Sequence, residues 1–379
     1  MITIGAVGVA VPLQRPTGIA TRVIRGRHYV IIRLHSIESG VTGYGYAYVG
    51  THGARSAVAI FEEVFVPILS EIVDDGISDI WESLYAETLV IGRGGLAIRV
   101  LSAIDIALWD LHTKEKNIAL CEALGGQVRD VPAYASGGYY FDGSDALDAI
   151  RSEIKQNMDR GFDKHKIKVG GLDVDEDAQR ISTAMEMLPP NHLLALDANN
   201  AYKTPFGAAN ALAKFENAAG DRGLWWFEEP LWPSDVKGHA YLRSRFATPI
   251  ATGEILQTRF DVRPYIDSEA VDILQIDAGV IGGISEFLKV AQAASVANIS
   301  IAPHWHANLH AHFATVLENC FVIEHFIPEK DIYNFERLLV DSSHMSHRDG
   351  LLQIKNTPGI GLEFDPSQLT QHQVADYQW

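Results

Sequence analysis

From about Val131 onward, short apolar, β-branched or aromatic runs recur along the chain: VPAYAS, KHKIKV, LLALDA, LWWFEE, PIATGE, ILQIDA, SIAPH and CFVIEHF. Stretches at 145–160, 174–188, 206–219 and 284–297 carry helical patterns and fill much of the space between them. Eight strands at intervals of roughly 20–30 residues, interleaved with helices, predict βα units around a parallel sheet. Eight such units close naturally into a barrel. A doubly wound sheet is the alternative, but no GxGxxG fingerprint joins a strand to a helix; GVIGGIS at 279–285 is mis-spaced for one and reads as a plain loop.

The first third has a different rhythm. MITIGAVGVAVPL is apolar without a basic leader, and runs into QRPTGIATRVIRGRHYVIIRL, which reads as a loop and a second strand rather than a cleaved signal. HYVIIRLHS and GYGYAYVG bracket the turn signal IESGVTG, a hairpin pattern. Helices are predicted over 54–73 and 76–91. In LAIRVLSAIDIALWDLHTKEKN, Ala103, Ile104, Ala107, Leu108 and Leu111 share one face at helical period. The tail, LLQIKNTPGIGLEFDPSQL, returns to strand and turn character and is expected to pack back on the first module. The predicted organisation is an α+β module over 1–128, a barrel over 129–340, and a returning segment over 341–379.

Composition narrows the partners. A net charge of −17 leaves no basic excess to neutralise phosphates, which argues against nucleic acid or an anionic membrane. No run approaches about 18 uninterrupted apolar residues, so no spanning helix is expected and a cytoplasmic address is the default. Cys121 and Cys320 form no CxxC, so neither a disulfide framework nor a thiolate metal site is signalled.

The run KHKIKV poses the chemical question. Alternation along a strand points Lys164, Lys166 and Lys168 the same way. Either this is a solvated edge guarded by lysines, or something strongly negative lies opposite. Chemistry in a parallel barrel sits at the C-terminal strand ends, and those ends read Lys166 and Lys168, Asp197, Glu228, Glu254, Asp277, His304 and Glu324. Taken singly, Asp197 could cap a helix, Glu228 could belong to a turn before Pro230, and His304 could be an ordinary buried histidine. Together and in register they read as a site. Asp197, Glu228 and Glu254 converging in a dry mouth require a cation, and all-oxygen donors suit Mg²⁺ (or Mn²⁺) before Zn²⁺. Lys166, crowded by Lys168 and the metal, is expected to have a lowered pKa and to serve as a base, with Lys168 hydrogen-bonding the carboxylates or the substrate. Asp277 behind His304 fixes the imidazole on the opposite flank. Glu324 is expected to donate to a developing oxyanion, given a raised pKa. The arrangement asks for proton abstraction next to a carboxylate, with the enediolate held on Mg²⁺.

On these residues the chain resembles the enolase superfamily, specifically its mandelate racemase subgroup. The matching motifs are Lys166-Ile-Lys168, Asp197-Ala-Asn199, FEEP from Glu228, TGE with Glu254, DAGVIGG with Asp277, APH with His304, and Glu324; SAIDIALWDL and PGIGLE match the capping helix and C-terminal turn. A Lys or His base beside Mg²⁺ is a known property of that superfamily. The resemblance implies a (β/α)7β TIM-like barrel beneath a capping domain, an α/β fold whose capping loops help choose the substrate. GYGYA departs from many relatives by carrying Tyr46 after the Gly-x-Gly.

The reaction implied is dehydration of a sugar acid (aldonate, uronate or aldarate), with a racemase, epimerase or cycloisomerase of a hydroxy-carboxylate as the alternative. Asn199 and His306 are candidate substrate contacts, each with a structural role open. So are Arg25, His28 and His52, from a loop set that also holds Arg15, Arg22 and Arg27. A hydrolytic metal barrel would leave the paired lysines unused, and a non-catalytic relative would leave the full set of strand ends unexplained. Such barrels are commonly symmetric, so a homo-oligomer is expected.

Overall fold

The computed structural model describes residues 1–73 and 75–379. Three antiparallel strands open the chain: β1 (Ile2–Ile19), β2 (Arg22–Ser36) and β3 (Thr42–Tyr48). The hairpin expected from IESGVTG is β2–β3, with Tyr29 opposite Tyr48 and His35 opposite Thr42. The segment read as a loop after Leu13 is instead more strand. β1 and β2 stay paired out to Ile19 and Arg22, with one irregularity between Pro12 and Thr17. Pro16 lies in that bulge, where a residue without an N–H does least harm to a ladder. The resulting long tip reaches the barrel, where Gly18 and Tyr140 exchange backbone hydrogen bonds of 2.8 and 3.0 Å.

The helices predicted over 54–73 and 76–91 are found as Ala54–Ile60 running through a π turn into Val66–Ile72, and as Ile77–Ile91. Pro67 accounts for the π turn, since its ring crowds the preceding carbonyls and it has no N–H to close an α-helical bond. The long helix Leu96–Glu115 packs on β3 so closely that a Cβ at Gly45 would strike the Ala103 carbonyl. That contact explains the glycines of GYGYA. Tyr46, the departure from the common pattern, is buried and stacks on Phe335 with ring centroids 4.2 Å apart, a packing role.

Then come β4 (Val131–Gly137), β5 (Lys164–Lys168), β6 (Leu193–Asp197), β7 (Phe227–Glu228), β8 (Ile250–Thr252), β9 (Ile273–Leu274), β10 (Ser300–Ile301) and β11 (Ile323–His325). Each pairs in parallel with the next from β4 to β10, and β11 pairs in parallel with β4. Between β10 and β11 the contact is a single bridge, Ile301 with Cys320, rather than a ladder. This is the α/β TIM-like barrel the pattern predicts, and the helices expected between its strands are present, for example Ala146–Asp159 and Val174–Met187. GVIGGIS is not a plain loop. Asp277 caps a helical turn at Ala278–Ile281, and Gly283 begins the helix Gly283–Val296. A Cβ at Gly283 (φ 93°) would collide with Asp105 of the capping helix, so the glycines are there for close approach. Asp105 accepts from Ser285 N at 2.9 Å and Ser285 Oγ at 2.6 Å, fastening the capping helix to the barrel.

The tail forms a hairpin, β12 (Ser346–Arg348) and β13 (Leu351–Gln353), whose second strand pairs with the start of β4. It then returns, and β14 (Gln373–Tyr377) pairs antiparallel with β1. Among the described residues, no helix is long and apolar enough to cross a membrane.

Candidate active site

The register of the parallel ladder puts Lys168 beside Asp197 and Asp197 beside Glu228, one step apart around the barrel. Glu254 follows β8 through Gly253, whose φ of 133° is a conformation only glycine adopts easily. One carboxylate oxygen from each of Asp197, Glu228 and Glu254 lies within 4.8 Å of the others. The triad therefore meets on the scale a single cation requires. Burial and the neighbouring Asp197 push Glu228 up to about 8. Burial pushes Glu254 to about 7, against the pull of His304. Carboxylates held this way lack positive charge, and a hard divalent ion with oxygen ligands fits them. Two residues the sequence reading missed steady Glu228 from below: Gln275 Nε2 donates to it at 2.6 Å and Trp226 Nε1 at 3.0 Å.

The three lysines of β5 divide by depth. Lys164, at the strand's N-terminal end, is part-exposed and paired with Asp163 at 2.7 Å, so it takes no part in the site. Lys166 lies beneath the carboxylates, with its ammonium 2.8 Å from both Glu228 oxygens, 2.7 Å from Glu324 and 3.2 Å from the Tyr134 hydroxyl. Lys168 sits one rung higher, ion-paired to Asp197, and lines the cavity. The expected lowering at Lys166 is not found. Burial pulls it down, but Glu228, Glu324, Tyr134 and Asp197 together outweigh burial and hold it well above the usual range. That expectation rested on Lys168 and a bound cation as the neighbours of Lys166.

On the other flank, His304 Nδ1 lies 2.9 Å from Asp277 Oδ2, and Nε2 lies 3.5 Å from Glu254. Burial lowers His304, but Glu254 and Asp277 raise it further, to about 9. The chain then turns through two left-handed residues, Trp305 (φ 54°) and His306 (φ 42°), which lays the Trp305 ring on His304 at 5.2 Å. Glu324 accepts from Trp305 N at 2.8 Å. It too departs from expectation: burial pushes its carboxyl up, but Lys166 and His304 overcome this and hold it near 2. Asn199 (φ 42°) lines the cavity and donates its backbone N–H to Asp197 at 2.9 Å. His306 does not reach the cavity. It is fully buried against Tyr46 and bonded to Tyr333 Oη at 2.9 Å, and burial pushes it down to about 3, so it is a core histidine.

The capping-loop candidates are also corrected. The cavity, about 240 Å³, is bounded by Lys168, Asn199, Glu254, His304 and Glu324 below, and by Arg22, Arg27, Arg99 and Tyr139 among others above. Arg25 is exposed and outside it, because β2 at this point faces the bulge between Pro12 and Thr17 rather than a paired strand. His28 and His52 pack edge-to-face at 5.7 Å beside the start of the Ala54 helix, and neither lines this cavity. Arg99 went unrecognised, although an arginine one turn before Ala103 on an otherwise apolar helix face was the available signal.

Residues 1–125 match the mandelate racemase/muconate lactonizing enzyme N-terminal domain, and residues 149–368 match the enolase C-terminal domain-like family. The chain belongs to the mandelate racemase/muconate lactonizing enzyme family. Its relatives in that family include the arabinonate dehydratase of Saccharolobus solfataricus, 32% identical over 86% of this chain and 85% of that one. The L-talarate/galactarate dehydratase of Salmonella typhimurium LT2 is 31% identical over 93% and 85%. A crystal structure of the latter, liganded with Mg and L-lyxarohydroxamate, superposes with a TM-score of 0.88 at 28% identity, covering 99% of this chain and 93% of that one. Family membership leaves the hydrolytic-barrel reading without support.

Proposed function

We propose that the chain dehydrates a sugar acid to a 2-keto-3-deoxy acid, and that Lys168, not Lys166, is the amine that meets the α-hydrogen. One observation carries the reading: the Asp197–Glu228–Glu254 cluster reaches, through Glu254, a cavity that Lys168 lines on one side and His304, backed by Asp277, on the other. Asp197, Glu228 and Glu254 would hold a Mg²⁺ ion, whose charge makes the hydrogen next to a bound carboxylate acidic. Burial lowers Lys168 and its ion pair with Asp197 raises it, with a net rise. With a cation sharing Asp197, the amine would lose that compensation and would accept the α-proton. His304, held by Asp277 at 2.9 Å on its other ring nitrogen, gives its proton to the departing β-hydroxyl, which leaves as water. The enol that remains takes a proton at C3 and gives up its O–H proton to solvent, which makes it the keto acid. Lys166 serves the site by position, pinning Glu228 and Glu324.

The names of the two dehydratase relatives support this reading. The same opposed pair also favours a second one, transfer of the α-proton from one face to the other in a racemase, epimerase or cycloisomerase. The test is a panel of aldonates, uronates and aldarates with Mg²⁺, read by keto-acid formation and by solvent deuterium uptake at the α-carbon. Keto acid supports dehydration. Deuterium uptake without keto acid overturns it in favour of the second reading.

A further inference from the structure

The upper wall of the cavity carries Arg22, Arg27 and Arg99, and among the described residues none of them has a carboxylate within 4.0 Å. Arg27 is 2% exposed. Its Nε donates to the Ile332 carbonyl at 3.0 Å, and the guanidinium lies 4.3 Å over the Trp305 ring, which itself stacks on His304. Arg99 is half-buried and donates to the Tyr48 carbonyl at 2.6 Å, while the Tyr48 ring lies under Arg27 at 5.5 Å. One residue of β3 thus brings two guanidiniums to the same wall. A buried guanidinium with no carboxylate in contact is costly, and Asp277 and Glu254 act on Arg99 only at longer range. Neutral carbonyls leave much of the guanidiniums' forked donor capacity unused.

We propose that the missing anions come with the substrate: Arg27 and Arg99, with Arg22 at the rim, bind a second carboxylate at the end of the acid remote from the α-carbon, which makes the substrate an aldarate rather than an aldonate. This rests on the α-proton chemistry above and narrows its substrate class. The guanidinium fork matches a carboxylate bidentately. The cavity, smaller than the about 300–1,000 Å³ of drug-sized sites, suits a compact six-carbon diacid.

The test compares galactarate with galactonate, identical except for the remote group, in the Mg²⁺-loaded full chain and in its Arg99→Met and Arg27→Met variants. Turnover is read as kcat/KM, and binding separately as ligand-induced thermal stabilisation. The diacid should be preferred by about 100-fold or more. Each variant should lose about 10- to 100-fold toward the diacid, chiefly in KM, while the monoacid changes less than about threefold. Equal treatment of the two acids by the wild type, or an equal loss toward both in the variants, overturns the proposal. Arg99→Met keeps the test sound if Arg27→Met fails to fold. A 6-phosphoaldonate forms a third arm, and tighter binding of it than of the diacid overturns the carboxylate assignment. If no acid exchanges its α-hydrogen, the dehydratase reading fails, but the binding arm still decides between a dianion and a monoanion.

Discussion

Replacing Arg180 with methionine tests whether Lys168 is held by a buried ionic clamp. Arg180, on the helix Val174–Met187, is 2% exposed. Its guanidinium donates to the Lys168 carbonyl at 2.8 Å, the Gly138 carbonyl at 2.6 Å and Asp177 at 2.7 Å, and so ties the ends of β4 and β5 together. Asp177, fully buried, also accepts from Gly170 N at 2.6 Å and from the Tyr140 hydroxyl at 2.9 Å. Tyr140 in turn pairs with Gly18 at the tip of the capping hairpin. Methionine keeps most of the apolar stem, so the loss is mainly ionic. Stranding one partner of a buried pair costs about 3–5 kcal/mol. Removing the stranded charge as well, in Arg180→Met with Asp177→Asn, should recover about 1–3 kcal/mol relative to the sum of the single variants. Urea unfolding measures both. Because Lys168 loses the donor on its own carbonyl, kcat should fall by up to about 100-fold, the effect of a shift of about 1 Å in a reacting group, with KM less affected. A single variant costing under about 1 kcal/mol, or strict additivity in the double variant, refutes the clamp.

Three further outcomes are expected. Lys168→Met should abolish α-hydrogen exchange with deuterated solvent in a folded protein; persistence of exchange there, with loss in Lys166→Met, would return the base role to Lys166. Glu228→Gln should weaken Mg²⁺ binding by calorimetry at least as much as the about 10–100-fold seen for outer-shell changes, and an unchanged affinity would remove Glu228 from the ligand set. His325 and His165 are pushed down to about 3, mainly by burial and then by His347 and His192 respectively. Their unfolded forms bind protons below about 6.5 while the folded ones do not, so stability is full above that pH and falls as pH drops, by up to about 1.4 kcal/mol per pH unit for each group. His325→Leu should flatten the decline in urea midpoint between pH 6.5 and 5, and an unchanged slope counts against the assignment.

Strand parity made much of the site legible. Period-two alternation told that Lys166 and Lys168 share a face, and the strand-end rule collected the acidic triad from three separate segments. What parity could not supply was depth. Lys166 and Lys168 differ by one rung of a strand, about 6–7 Å, and that rung separates the floor under the carboxylates from the cavity wall. Nor could it follow the chain past irregular backbone. Arg25 turned away because the facing strand bulges at Pro16, and His306 sank into the core after two left-handed residues that no periodicity announces. Helices read well because their apolar faces persist for several turns, whereas GVIGGIS hid a cap and a helix start behind glycines placed for contact with Asp105.

The two reversed pKa directions have a common origin in the charge balance of the cluster. Asp197, Glu228, Glu254 and Glu324 are four carboxylates meeting two ammonium groups, Lys166 and Lys168, while Asp277 and His304 balance each other. The excess is two negative charges, the charge of one divalent cation. Read pairwise, two neighbouring lysines should repel and Lys166 should fall. Read as a sum, each lysine is surrounded by more carboxylate than amine and rises, and Glu324, next to Lys166 and His304, falls. The deficit is not spread evenly. It lands on Glu228 and Glu254, the two carboxyls pushed up to about 8 and about 7, and both belong to the triad whose oxygens converge. The groups left without compensation are the ones a Mg²⁺ ion would ligate, so the charge balance falls where the oxygens converge.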